Sequence, residues 1–244
     1  MTTNGHLMPP TIVLVHGAFA ESASWDRVVD ALLDAGHPVI AAANPLRGLA
    51  ADATAVSDLV RTLEGPVVLA GHSYGGAVIS NVDADAGAIT GLVYIDAFAP
   101  EPGESCFKLA GLFPGGTLGD ALETVTRSDG GTDLAIRRDR FHDQFAADVP
   151  VAQARRMAAT QRPVAQEALL EPSGARPLWR ELPSRFLIGE LDRTIPAAAQ
   201  HFMAKRAHAH DTIEIPGASH ALTVSHPGAT AHMILEAAAV HAAA

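Results

Sequence analysis

Residues 66–70 (PVVLA) form an unbroken apolar run that leads directly into Gly71-His72-Ser73-Tyr74-Gly75-Gly76, and an apolar stretch with helical character follows. This junction constrains the fold more than any other feature of the chain. A strand that turns sharply into a helix needs small residues on both sides of the corner, so that the two elements can approach. The corner leaves its apex residue, here Ser73, exposed at the top of the strand. An apolar strand without polar alternation is buried on both faces, and such strands belong to parallel sheets covered by helices on each side.

The same rhythm recurs along the chain. Apolar runs at 11–15, 38–43, 91–95, 185–188 and 212–215 read as further strands. Stretches at 24–35, 51–63, 75–84, 197–207 and 230–241 read as helices. Strands alternating with helices predict an α/β fold, a mostly parallel sheet of about six strands with helices on both faces. Residues 97–182 interrupt the alternation. Gly and Pro cluster at 100–119, 128–133 (SDGGTD) reads as an exposed loop, and 137–147 and 151–160 read as helices. The block is expected to be a helical cap insertion, with 1–96 and 183–244 forming the core.

Composition supplies the exclusions. Of 244 residues, 48% are hydrophobic and 18% charged, enough apolar material for one core and too much for a disordered chain. Aromatics are only 5%, so Ala, Val and Leu must fill most of that core. Seventeen Lys and Arg face 27 Asp and Glu, a net charge of −10. Nucleic-acid affinity rests on cationic contacts with phosphate, so no nucleic-acid partner is expected. No stretch reaches the roughly 18 apolar residues of a membrane span, and residues 1–10 lack a signal-peptide pattern. The expectation is a cytoplasmic protein with no membrane partner. The single cysteine, Cys106, can form neither an internal disulfide nor a cysteine-based metal site.

A serine hydroxyl is a weak nucleophile until a base takes its proton, and the base needs an orienting acid. After a nucleophile at a strand–helix corner, acid and then base follow later in the chain. Asp192 lies just past the strand at 185–188, and His220 just past the strand at 212–215. Sites in open parallel sheets gather at the carboxyl ends of strands, where Ser73 also lies. Asp96 follows a strand too and is the alternative acid; Glu190 is a weaker rival. Among the 12 histidines, His201, His208 and His210 straddle a helix end without a carboxylate at ligand spacing, so no metal is expected. Acyl chemistry also needs donors for an oxyanion. His16-Gly17-Ala18-Phe19 follows the first strand, and a tight turn there aims the Ala18 N–H beside that of Tyr74, with His16 as scaffold. Gly115–Gly119 lacks the lysine of a phosphate loop and reads as a plain loop.

The segments TIVLVHGAF, GHSYGG, GLVYIDAFAP, FLIGELDRTIP and GASHALTVSHP resemble the α/β-hydrolase superfamily over nearly the whole chain. The likeness is to the small branch that holds plant methyl esterases and hydroxynitrile lyases. It implies Ser73 as nucleophile, His220 as base, Asp192 as acid, Ala18 and Tyr74 N–H as oxyanion donors, a variable cap at 97–182, and no cofactor. Lyases of this branch carry Thr where this chain has Gly17 and Lys where it has Ala221. Without that cation a cyanide leaving group has no stabiliser. Ser73 also departs from dehalogenases and epoxide hydrolases, which carry Asp at the corner. The resemblance therefore implies a serine hydrolase cleaving small to medium apolar carboxylic esters through an acyl-enzyme. C–C hydrolysis, lyase chemistry and a non-catalytic ligand receptor are the alternatives. Phe107, Leu109, Leu112, Phe113, Phe141, Phe145, Met157 and Trp179 supply apolar surface in the cap, at least half of it for packing. His142 is expected at an exposed helix position, and an apparent His220 pKa of roughly 6–7.5 is expected.

Overall fold

The computed structural model describes residues 8–242. From the N-terminal side the elements are β1 (Thr11–Val15), α1 (Asp26–Asp34), β2 (Val39–Ala42), α2 (Leu49–Arg61), β3 (Pro66–His72), α3 (Tyr74–Ser80) and β4 (Ala88–Ile95). An inserted block follows, with α4 (Cys106–Ala110), β5 (Leu122–Thr126), β6 (Thr132–Ile136), α5 (Phe141–Phe145), α6 (Val151–Thr160), β7 (Val164–Ala165) and α7 (Gln166–Leu170). The alternation then resumes as β8 (Ser184–Gly189), α8 (Ala197–Arg206), β9 (Asp211–Ile215), α9 (Leu222–Ser225) and α10 (Pro227–Ala242).

Six strands form one sheet in the order β2-β1-β3-β4-β8-β9, every neighbouring pair parallel. Register explains how one apolar run serves two layers. Val13, Leu69 and Leu92 lie side by side on one face, and Leu14, Ala70 and Val93 on the other. The first face packs against α2, α3 and α8 through Val56, Val60, Ala77, Val78 and Met203. The second packs against α1 and α10 through Val28, Leu32, Met233, Ile234 and Ala237. Helix α1 presents Val28 and Leu32 one turn apart, so both reach the sheet. Beyond β1 the chain turns to β2 on one side, and it later returns as β3 on the other. This reversal opens a crevice at the carboxyl ends of β1 and β3, the usual binding position in such sheets.

The inserted block is not purely helical, as the sequence had suggested. β5, β6 and β7 form a second, antiparallel three-stranded sheet. The predicted loop at 128–133 is the tip of its hairpin, with Thr132 and Asp133 already in β6. Arg127 N–H bonds to the Gly131 carbonyl (2.8 Å), closing the turn. Most β5 side chains are exposed, so LETVT carries no apolar alternation for a sequence reader to see. The predicted helix at 137–147 shrinks to α5, because 137–140 form a turn. The block docks through Leu134, Ile136, Phe141, Phe145 and Trp179, which join the same apolar cluster as the sheet. Arg206 clamps it by reaching Glu104 and the Ala99 carbonyl (2.7 Å), and Trp179 donates to the Pro100 carbonyl (3.0 Å). Among the described residues no helix is long and apolar enough to cross a membrane.

Candidate active site

Ser73 sits at the tip of β3 with φ 56° and ψ −124°, an unusual conformation for a residue with a side chain. Such strain costs roughly 1–3 kcal/mol and persists only where the surroundings hold it. Here its N–H donates to Ile95 (3.1 Å), and its carbonyl accepts from Gly76 (3.0 Å) and Phe98 (3.2 Å). Gly71 lets β3 and α3 cross closely, since a Cβ there would lie 2.6 Å from the Gly75 carbonyl carbon. Gly17 lets the β1 loop pass behind the serine, since its Cβ would lie 2.5 Å from Ser73 Cβ and 2.8 Å from the His72 carbonyl. Gly17→Ala should therefore displace Ser73 and lower kcat by about 100-fold. Turnover of a chromogenic ester checks this, and unchanged kcat would show that the loop gives way instead.

His220 follows β9 and Asp192 follows β8, and both fold over β3. His220 Nε2 lies 2.9 Å from Ser73 Oγ, and His220 Nδ1 lies 2.7 Å from Asp192 Oδ2. Both side chains are fully buried. The carboxylate only accepts, so Nδ1 carries the proton and the Nε2 lone pair faces the serine hydroxyl. Asp192 Oδ1 accepts from the N–H groups of Thr194 (2.7 Å) and Ile195 (2.9 Å), and Oδ2 from the Gln200 amide (2.9 Å). The structure thus brings Ser73, Asp192 and His220 into one hydrogen-bonded chain. Such a chain can move a proton from hydroxyl to imidazole.

Ala18 and Tyr74 flank Ser73 on the wall of a cavity of about 510 Å³. As the first residue of α3, Tyr74 has an N–H with no partner inside its helix. The Ala18 N–H meets no backbone acceptor among the described residues. Both residues share the cavity wall with Ser73. The rest of the wall is apolar or neutral, with Phe98, Leu118, Leu122, Leu134, Leu169, Leu170, Thr124 and Gln166. No charged side chain lines the cavity among the described residues.

A family model described as the alpha/beta hydrolase family matches residues 12–233. The chain belongs to the alpha/beta hydrolase family. A pyrethroid hydrolase of Sphingobium wenxiniae is 30% identical over 92% of this hydrolase and 86% of its own length. A carbendazim hydrolyzing esterase of a Nocardioides species is 38% identical over 40% of this chain, and that match spans 46% of the esterase. The crystal structure of polyneuridine aldehyde esterase superposes with a TM-score of 0.78 at 19% identity, covering 94% of this chain and 99% of that one.

Around the three bonded residues the chain carries further polar groups, among them the two rival acids, Asp96 and Glu190. Asp96 does not touch His220 Nδ1. Its Oδ1 accepts from Gly189 N–H (2.7 Å) and its Oδ2 from Leu222 N–H (3.4 Å), so it braces the end of β8 against the start of α9. Burial raises the Asp96 pKa, and the charge of Asp192 raises it further. Burial raises that of Asp192 as well, opposed by the Ile195 and Thr194 N–H groups and the Gln200 amide. Of the two carboxyls, Asp192 has more donors, which favour its charged form over that of Asp96. His72 Nε2 donates to the His220 carbonyl (2.8 Å) and fixes that loop. His16 bonds to Gly17 and Asn44, as a scaffold would. Glu190 turns to the Gly217 N–H (2.7 Å) and stays exposed. His72, Asp96 and His220 place ligand-capable atoms within 4.8 Å of one another; Asp96 and His220 are engaged in the bonds just described, as is His72 Nε2, while His72 Nδ1 is buried without a hydrogen-bond partner.

Burial also sets the protonation of the imidazoles in the hydrolase. Desolvation lowers His220 and His72 to about 3, and His16 to about 4. Complete enclosure therefore draws the His220 value below the range of roughly 6–7.5 expected from sequence. Of the apolar residues named from sequence in the inserted block, Phe107 lines the cavity. Leu109, Phe141, Phe145 and Trp179 are core, with the Phe145 ring edge-on to His220 at 4.8 Å. Phe113 packs on Phe202, and Leu112 is exposed. His142 is half-buried and bonds to the Val149 carbonyl (3.0 Å). The inserted block's part of the wall comes from α4, the 116–119 connection, the unpredicted β5–β6 hairpin and α7.

Proposed function

We propose that the protein is a serine carboxylesterase for neutral, apolar, small to medium esters. One observation carries the reading: the bonded chain Asp192–His220–Ser73 ends at the wall of an uncharged cavity. Its volume of about 510 Å³ falls within the range of small-molecule sites. The names of the two relatives, a hydrolase and an esterase, support the reaction class.

In this reaction Ser73 Oγ attacks the ester carbonyl carbon while its proton passes to His220 Nε2. The carbonyl oxygen becomes an anion beside the Ala18 and Tyr74 N–H groups, which stabilise the charge where it develops. The intermediate collapses, the C–O bond to the alcohol breaks, and His220 returns the proton to the leaving oxygen. Water then attacks the acyl-enzyme, giving its proton to His220, and Ser73 leaves as the hydroxyl. Asp192 holds His220 in the tautomer that both steps need. No cofactor enters the cycle. Ala221, buried beside His220, supplies no cation for a cyanide leaving group, which disfavours lyase chemistry. The partner is a small-molecule ester, with no role for nucleic acid or membrane, and a cytoplasmic setting suits the acidic chain.

The test is a pH profile of kcat/KM with p-nitrophenyl butyrate. His220 works only when neutral, so kcat/KM should fall about tenfold per pH unit on the acid side. Burial lowers its pKa, so the midpoint should lie below 6.5. A chelator should leave the plateau unchanged. A midpoint above 6.5, or loss of activity on chelation, would each contradict a buried neutral imidazole as the base.

A further inference from the structure

Phe19, the residue after Ala18, has φ 61° and is 2% exposed. A bulky side chain in the left-handed region is a true outlier, and the conformation survives only where its surroundings hold it. Here the Phe19 N–H donates to the Arg162 carbonyl of the inserted block (3.2 Å). The turn carries Phe19 between two spaces. One is the cavity at Ser73; the other, of about 310 Å³, lies between the β1–α1 connection, α6 and α9. Phe19 alone lines both among the described residues. The second space is apolar at Ala20, Met157 and Val224 and polar at Glu21, Gln153 and Arg156.

We propose that Phe19 is a specificity-determining partition, which limits the length of the ester that the cavity at Ser73 accepts. Resting on the esterase reading above, this proposal adds the residue that sets its upper size limit. Removing the ring joins the two spaces into one passage, apolar where it leaves Ser73 and polar at its far end. A long acyl chain then buries several more methylenes, each favouring the longer ester.

Phe19→Gly tests this cleanly, because glycine accepts the left-handed backbone without strain and so spares the adjacent Ala18 N–H. The measured quantity is the ratio of kcat/KM for p-nitrophenyl laurate to that for p-nitrophenyl butyrate. It should rise about tenfold or more. Adding Met157→Trp, which refills the second space, should return the ratio to that of the unchanged protein. A Phe19→Gly enzyme that hydrolyses butyrate with an unchanged ratio overturns the partition, as does a raised ratio that Met157→Trp leaves in place. If Phe19→Gly does not fold, Phe19→Leu should show a smaller rise, and no rise there overturns the proposal too. A different outcome marks failure of the underlying reading: the unchanged protein turns over neither ester, and the partition falls with it.

Discussion

Ser73→Ala should abolish ester turnover, lowering kcat by on the order of 10⁶, while the protein stays folded. The hydroxyl is the only group at the corner with a base at hydrogen-bond distance, His220 Nε2 at 2.9 Å. Nothing structural depends on it. The corner is held by backbone bonds from Ser73 to Ile95, Gly76 and Phe98, and alanine keeps all three. Steady-state turnover beside a thermal melt checks both halves. A folded Ser73→Ala protein that retains even a tenth of its activity would remove Ser73 from the mechanism.

The second large effect separates two buried carboxyls. Asp192→Asn should lower kcat by on the order of 10⁴. Asparagine can place an amide NH₂ against His220 Nδ1, which drives the proton to Nε2 and leaves no lone pair for the serine. The same NH₂ would meet the Gln200 amide, donor against donor, where Asp192 Oδ2 now accepts. Asp96→Asn should cost less than about tenfold, because Asp96 bonds backbone N–H groups of Gly189 and Leu222 and not the His220 ring. Its oxygen can still accept from Gly189 N–H. Measuring kcat for both variants decides between the acids. A greater loss in Asp96→Asn would make Asp96 the working acid.

The core was legible because its physics is local. Continuous apolar runs such as TIVLV and PVVLA permit little except doubly covered strands, and the structure places β1 and β3 there. Ser73, Asp192 and His220 were legible for a related reason: each follows a strand end, and a parallel sheet collects its strand ends. What stayed hidden depends on contacts across long stretches of chain. His72 bonds to a carbonyl 148 residues away, and Asp96 to an N–H 93 residues away. Gln200, which holds Asp192, shows in sequence only as a polar residue on a helix. The β5–β6 hairpin escaped because its outer strand is mostly exposed, so no face is marked as apolar. The depressed His220 value escaped because sequence shows the charge partner but not the full enclosure that lowers it.

The most direct test of the central claim is covalent capture of the nucleophile. A fluorophosphonate ester presents a neutral, apolar, electrophilic phosphorus in place of the acyl carbon. Incubated with the protein at pH 8 and read by intact-mass and peptide mass spectrometry, it should give one adduct per chain, on the peptide that contains Ser73. Adduct formation should track loss of ester hydrolysis and be absent in Ser73→Ala. An enzyme that resists the reagent while still hydrolysing esters, or that is inactivated by modification at another residue, would contradict Ser73 as the attacking group.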